Sequence, residues 1–132
     1  MLILGQKQDF TIPSRLGGTR LFLLLIMKVT TQEALSQLDA EKSQLFAKVM
    51  EHGTMSVEIY RPVKTDPQTP HQQDELYVVI SGSGEFLNDG KRSVFGKGDV
   101  LFVPAGIEHR FENFTDDFTT WVIFYGAEGG ER

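Results

Sequence analysis

The feature that most restricts the fold of this chain is the run from Gly84 to Gly106, "GEFLNDGKRSVFGKGDVLFVPAG". Its apolar pieces are only a few residues long, and glycine or proline cuts each one off. An amphipathic helix needs apolar positions at three- and four-residue spacing over about ten residues or more, and no window here supplies that. Asp89-Gly90 suits the two positive φ angles of a type I′ hairpin turn. The chain therefore has to reverse direction repeatedly, which commits this region to short antiparallel strands.

The same pattern continues on both sides. "SQLFAKVMEHGTMSVEIYR" alternates over 43–51 and over 55–61, with His52-Gly53 between, and reads as a hairpin. "VKTDPQTP" breaks regular structure with two prolines. "ELYVVI", "VLFV", "EHRFENF" and "TTWVIFY" supply further extended segments, and the tail "GAEGGER" is expected to be loose. The acidic run "ENFTDDF" reads as a solvated loop. One helix stands apart from this pattern. Thr30 and Glu33 form a T-x-x-E capping box, and Ala34, Leu35 and Leu38 give an apolar stripe, so a short helix is expected at 31–39 within the segment 30–42. Short strands at regular spacing predict an all-β sandwich or small barrel over residues 43–125, with 126–132 as its tail.

The 132 residues make one domain, long enough to bury about two-thirds of its surface. Cysteine is absent, which excludes disulfides and thiolate metal sites and suits a reducing, cytoplasmic setting. A net charge of -5 argues against binding to nucleic acid or to an anionic membrane. "LFLLLIM" at 21–27 is too short to span a bilayer. It reads either as a first strand or as part of an N-terminal extension, residues 1–29, of which 1–26 would lie upstream of a natural start at Met27. The character of "MKVTTQEAL" favours the extension.

Histidine is scarce, with only His52, His71 and His109. His52 sits on a turn and is expected to be solvated. His71 precedes Glu75 by four residues, and imidazole with carboxylate suits Fe(II), Mn(II), Ni(II), Cu(II) or Zn(II). On a straight strand of ~3.3 Å per residue the two would stand ~13 Å apart, too far to share an ion. They meet only if Gln72-Gln73-Asp74 folds back as a loop, after which Glu75, Tyr77 and Val79 would point inward together. Without such an ion, a buried hydrogen bond between His71 and Glu75 accounts for the same pair.

At this point the residues carry a resemblance. The chain resembles a small single-domain cupin of the RmlC-like, type-2 conserved-barrel kind. The family's second motif, G-x5-P-x-G-x2-H-x3-N, is matched at every fixed position by Gly98, Pro104, Gly106, His109 and Asn113. Its first, G-x5-H-x-H-x3,4-E-x6-G, is matched at His71, Glu75 and Gly82, while Val63 and Thr69 occupy the first glycine and first histidine positions. Fifteen residues separate Gly82 from Gly98, as in compact cupins. The resemblance implies an antiparallel double-stranded β-helix (a jelly-roll barrel), often dimeric, that holds one divalent transition metal near its mouth. Carried over, the ligands are His71, Glu75 and His109. Thr69 is a poor ligand, so the fourth position falls to Gln68, to water or to substrate, with Gln73 a weaker candidate. Thr69, Gln73, Tyr77 and Phe111 are the expected pocket residues, and Tyr77 the expected proton donor. Arg110 is expected to alternate outward. Two functions remain open: a metal-dependent oxygenase or isomerase acting on a small organic molecule, and a module that binds a ligand or metal without turnover.

Overall fold

The computed structural model of the protein describes residues 7–13, 20–42 and 44–132. Among these, β1 (Lys7–Pro13) and β2 (Arg20–Ile26) form a two-stranded antiparallel sheet of their own. The apolar run "LFLLLI" is thus a strand in the structure, while residues 1–6 and 14–19 of the expected extension lie outside the described residues. No helix among the described residues is long and apolar enough to cross a membrane.

Helix α1 (Thr31–Ala40) starts where its capping box places it. Thr30 Oγ1 accepts from the Glu33 backbone N–H at 3.1 Å, and Glu33 Oε1 accepts from the Thr30 N–H at 3.3 Å. Two of the orphan donors at the helix start are satisfied in this way. Ala34 and Leu38 lie on the inner face of the helix, against Ala47, Val49 and Ile59 of β3 (Phe46–His52) and β4 (Met55–Tyr60). Trp121 and Ile80 pack at the edge of this outer cluster.

The rest of the chain supplies β5 (Asp74–Ser81), β6 (Gly84–Asn88), β7 (Lys91–Phe95), β8 (Val100–Val103), β9 (His109–Glu112) and β10 (Thr119–Tyr125). They complete a five-stranded sheet ordered β3-β4-β10-β5-β8 and a three-stranded sheet ordered β7-β6-β9, antiparallel throughout. The β6–β7 turn is the expected one: Asp89 and Gly90 have φ of 52° and 77°. Between the sheets lies an aromatic core. The Phe111 ring is 4.6 Å from Phe118, 4.7 Å from Phe86 and 4.8 Å from Tyr77, centroid to centroid, within the range aromatic pairs prefer. This is the antiparallel barrel predicted from the alternating segments.

Two loops differ from expectation. In "ENFTDDF" the aspartates are exposed, but Phe118 is fully buried and closes one end of the core, so the loop contributes apolar area as well as solvated charge. The tail is tied down rather than loose. The backbone N–H groups of Gly126, Gly129 and Glu131 donate to Thr54 Oγ1, Gln72 O and Asp74 Oδ2 at 3.1, 2.7 and 2.8 Å. Acceptors from the β3–β4 turn and from the entrance to β5 converge there, and the tail's donors satisfy them.

Candidate metal centre

The second motif's turn sets the geometry of the first motif's loop. Gly106 N–H donates to His71 O at 2.7 Å, and Ala105 N–H to Asp74 Oδ1 at 3.0 Å, so residues 104–106 grip the chain just ahead of β5. The Gln72-Gln73 segment folds back as the spacing required. His71 Nδ1 lies 2.7 Å from Gln73 O, and His71 Nε2 lies 2.9 Å from Glu75 Oε1. His109 opens β9 on the other sheet. Its Nδ1 is 2.9 Å from Ile107 O, and its Nε2 is 3.1 Å from the same Glu75 oxygen. The three ligand atoms lie within 4.8 Å of one another.

The tautomers follow from these contacts. A ring nitrogen facing a carbonyl oxygen must carry the proton, so both Nδ1 atoms are N–H donors. In the neutral rings each Nε2 then presents a lone pair toward Glu75, itself an acceptor. Three acceptors facing one point repel unless a proton or a cation lies among them. The side chains of Glu75 and His109 are fully buried, that of His71 is 18% exposed, and both Glu75 Oε2 and His109 Nε2 lack a hydrogen-bond partner. Buried polar atoms are seldom left so without a function. The donor set of two imidazoles and one carboxylate fits a borderline divalent ion and could hold one.

Charge in the site is biased the same way. Burial is the largest influence on Glu75 and would raise its pKa, but the His109, His71 and Tyr77 side chains together hold it below the usual carboxylate value. Burial also works against charge on His109, yet the Glu75 carboxylate and the Ile107 carbonyl outweigh it and hold the imidazole above its usual value. A proton on His109 can therefore stand in for a cation.

The other expected residues are distributed differently. Tyr77 and Phe111 lie inside the packed core, 0% and 1% exposed. Their side chains join the aromatic core between the sheets, and Phe111 also borders a recess of about 400 Å³ beside Asp66 and Arg110. The Tyr77 hydroxyl donates to Gln68 Oε1 at 2.7 Å, and burial and Glu75 push its pKa well up, so it retains its proton. Gln68 therefore has its amide oxygen engaged with Tyr77. Thr69 is exposed on the loop, His52 is exposed on its turn, and Arg110 points outward.

A cleft of about 570 Å³ reaches His71, the most exposed member of the triad, and is lined by Thr54, His71, Gln73, Phe124, Gly126 and Glu128 among others. Gln73 is the one expected pocket residue found in this lining. Its Nε2 donates to Thr54 O and Gly126 O at 3.0 and 2.9 Å, bracing the walls. Phe124, whose ring stands 4.9 Å from that of His71, faces this cleft in place of Phe111. Sequence reading also passed over Asp66. Inside "TDPQTP" it has the appearance of an ordinary turn aspartate, but it is 6% exposed and accepts four hydrogen bonds.

Residues 56–125 match the family model described as "Cupin domain". An uncharacterized protein of Streptomyces coelicolor is 33% identical over 99 residues, which cover 71% of this chain and 94% of that protein. An acireductone dioxygenase of Schizosaccharomyces pombe is 36% identical over 53 residues, 36% of this chain and only 30% of that enzyme. A solved cupin 2 conserved barrel domain protein of Salinispora arenicola superposes with a TM-score of 0.58 at 22% identity, over 76% of this chain and 90% of that one, a likeness of fold alone. Since the family match spans more than half of the residues and the S. coelicolor relative is covered almost end to end, the chain belongs to the cupin domain family.

Proposed function

We propose that this cupin is a metal-dependent enzyme, of oxygenase or isomerase type, acting on a small organic molecule at a divalent ion held by His71, Glu75 and His109. The observation that carries this reading is the convergence of two imidazole lone pairs and a buried carboxylate on one point. When bound, such an ion supplies Lewis acidity and coordination positions open to small molecules. The chain supplies the rest. Gln73 O and Ile107 O hold the two rings in the ligating tautomer. The aromatic core beneath the triad excludes water, so substrate approaches over His71 and Phe124. None of the residues lining that cleft is lysine or arginine, and Glu128 adds a carboxylate, which favours an uncharged polar substrate over a phosphorylated one. The similarity to part of an acireductone dioxygenase supports testing dioxygenase chemistry first.

The filled barrel interior favours a second reading, a cupin that binds a ligand or metal without turnover. Purified protein reconstituted with Fe(II) and assayed for oxygen uptake on uncharged enediols, catechols and ketones distinguishes the two. Turnover that disappears in Glu75→Gln supports the enzyme. One equivalent of tightly held metal with no turnover on any of these supports the binding module.

A further inference from the structure

A second buried carboxylate, which the proposed chemistry does not use, lies close to the centre. Asp66 stands on the irregular loop ahead of His71, and each of its oxygens takes two donors. Oδ1 accepts from the Tyr60 hydroxyl at 2.6 Å and the Gln68 N–H at 3.2 Å. Oδ2 accepts from Gln68 Nε2 at 2.9 Å and the Phe111 N–H at 2.9 Å. Phe111 is two residues beyond His109 on β9. Gln68 accepts in turn from Tyr77, which is two residues beyond Glu75 on β5. One carboxylate thus joins the His71 loop to the strands that carry the other two ligands, one from each sheet.

The geometry points to Asp66 as the residue that positions the metal centre. An acceptor with no proton of its own is required here, because all four groups facing it are donors. An amide in its place would offer only one acceptor oxygen and would direct N–H groups at two of those donors. Oδ2 also fixes the flip of the Gln68 amide: Nε2 is committed to Asp66, which leaves Oε1 to Tyr77. The Tyr77 hydroxyl is thereby held beside Glu75 and Gln68 is kept out of the coordination sphere. Tyr60 lies on the far side of this arrangement. Burial, with Asp66 second, pushes its hydroxyl far up in pKa, so it donates and does not ionise. Its link runs to β4, which carries no ligand.

This inference rests on the metal reading, and the test separates the two. Wild-type protein, Asp66→Asn and Tyr60→Phe are titrated with Co(II) by calorimetry, with the visible d–d spectrum of each complex recorded and each fold checked by circular dichroism. Asp66→Asn is expected to bind Co(II) about 10- to 100-fold more weakly and to shift the d–d band, as loss of a partner behind a metal ligand does. Tyr60→Phe is expected to melt earlier with affinity and spectrum unchanged. Folded Asp66→Asn with wild-type affinity and spectrum overturns the positioning role and leaves the metal reading intact. Wild-type protein that takes up no Co(II) overturns the metal reading and this inference together. If Asp66→Asn does not fold, Gln68→Ala decides: weaker binding with a shifted band supports the positioning role, and wild-type behaviour overturns it.

Discussion

At the scale of single residues, the centre is a problem in proton and cation balance. Against burial, the Glu75 carboxylate and the Ile107 carbonyl hold His109 above its usual 6.5, and the His109, His71 and Tyr77 side chains hold Glu75 below its usual 4.5. Each therefore favours the charged form of the other. Glu75, with its folded pKa lowered, stabilises the fold above about 4.5, and this contribution fades as pH falls through the lowered value. His109, with its folded pKa raised, stabilises the fold below about 6.5, and this contribution fades as pH rises through the raised value. The metal-free pair therefore contributes most between those two ordinary values. A divalent ion needs the same imidazole deprotonated, so its contribution grows in the opposite direction. The rise in melting temperature on adding Co(II) to chelator-treated protein is expected to be larger at pH 7.5 than at pH 5.5. Equal rises at both would contradict a role for His109 as ligand. Gly82 shows a different constraint at the same scale. Its φ is +82°, and a Cβ there would lie 2.6 Å from the Phe118 backbone, whereas a Cβ on Gly90 would meet nothing. Gly82→Ala is expected to lose well over the roughly 1–2 kcal/mol that a left-handed conformation alone costs, and Gly90→Ala about that amount, as read by urea denaturation.

At the scale of elements, the helix and the strands were legible in the sequence because each follows a local rule. Thr30 with Glu33 names the start of α1, and Thr30→Ala is expected to cost about 1 kcal/mol, again by urea denaturation. Asp89-Gly90 names its hairpin turn, and the inward alternation of Glu75, Tyr77 and Val79 holds in β5. The fold-back of Gln72-Gln73 could be required by distance even where it could not be seen. What escaped depends on contacts between segments distant in sequence. Asp66 takes two donors from nearby Gln68 as a turn aspartate can, but becomes a hub when Tyr60 of β4 and above all Phe111 of β9, 45 residues away, add theirs. The tail carries glycines that suggest disorder, yet its N–H groups meet Gln72 and Asp74. Alternation tells that Tyr77 and Phe111 point inward, but not that aromatic side chains pack around them there. Phe118, arriving from a loop that reads as acidic, is one of these.

At the scale of the molecule, the two sheets close on an aromatic core with the triad at the end where β5 and β9 begin. Phe111 touches Tyr77, Phe86, Phe95 and Phe118, so Phe111→Ala is expected to cost about 3–5 kcal/mol, a large share of the stability of an ordinary domain. Thermal melting monitored by circular dichroism checks this. The filled core confines any reaction to the mouth, and the tail forms part of the wall there. The site therefore draws on segments far apart in the chain, with its candidate ligands on the loop ahead of β5, on β5 and on β9. The most direct test of the central claim is metal analysis of the protein purified from cells and after exposure to Fe(II), Mn(II), Ni(II), Cu(II) and Zn(II), with His109→Ala alongside. One equivalent of a divalent ion in the wild type, lost from a folded His109→Ala, is the predicted result. A wild type that takes up none of these ions, or a variant that holds them equally well, would contradict it.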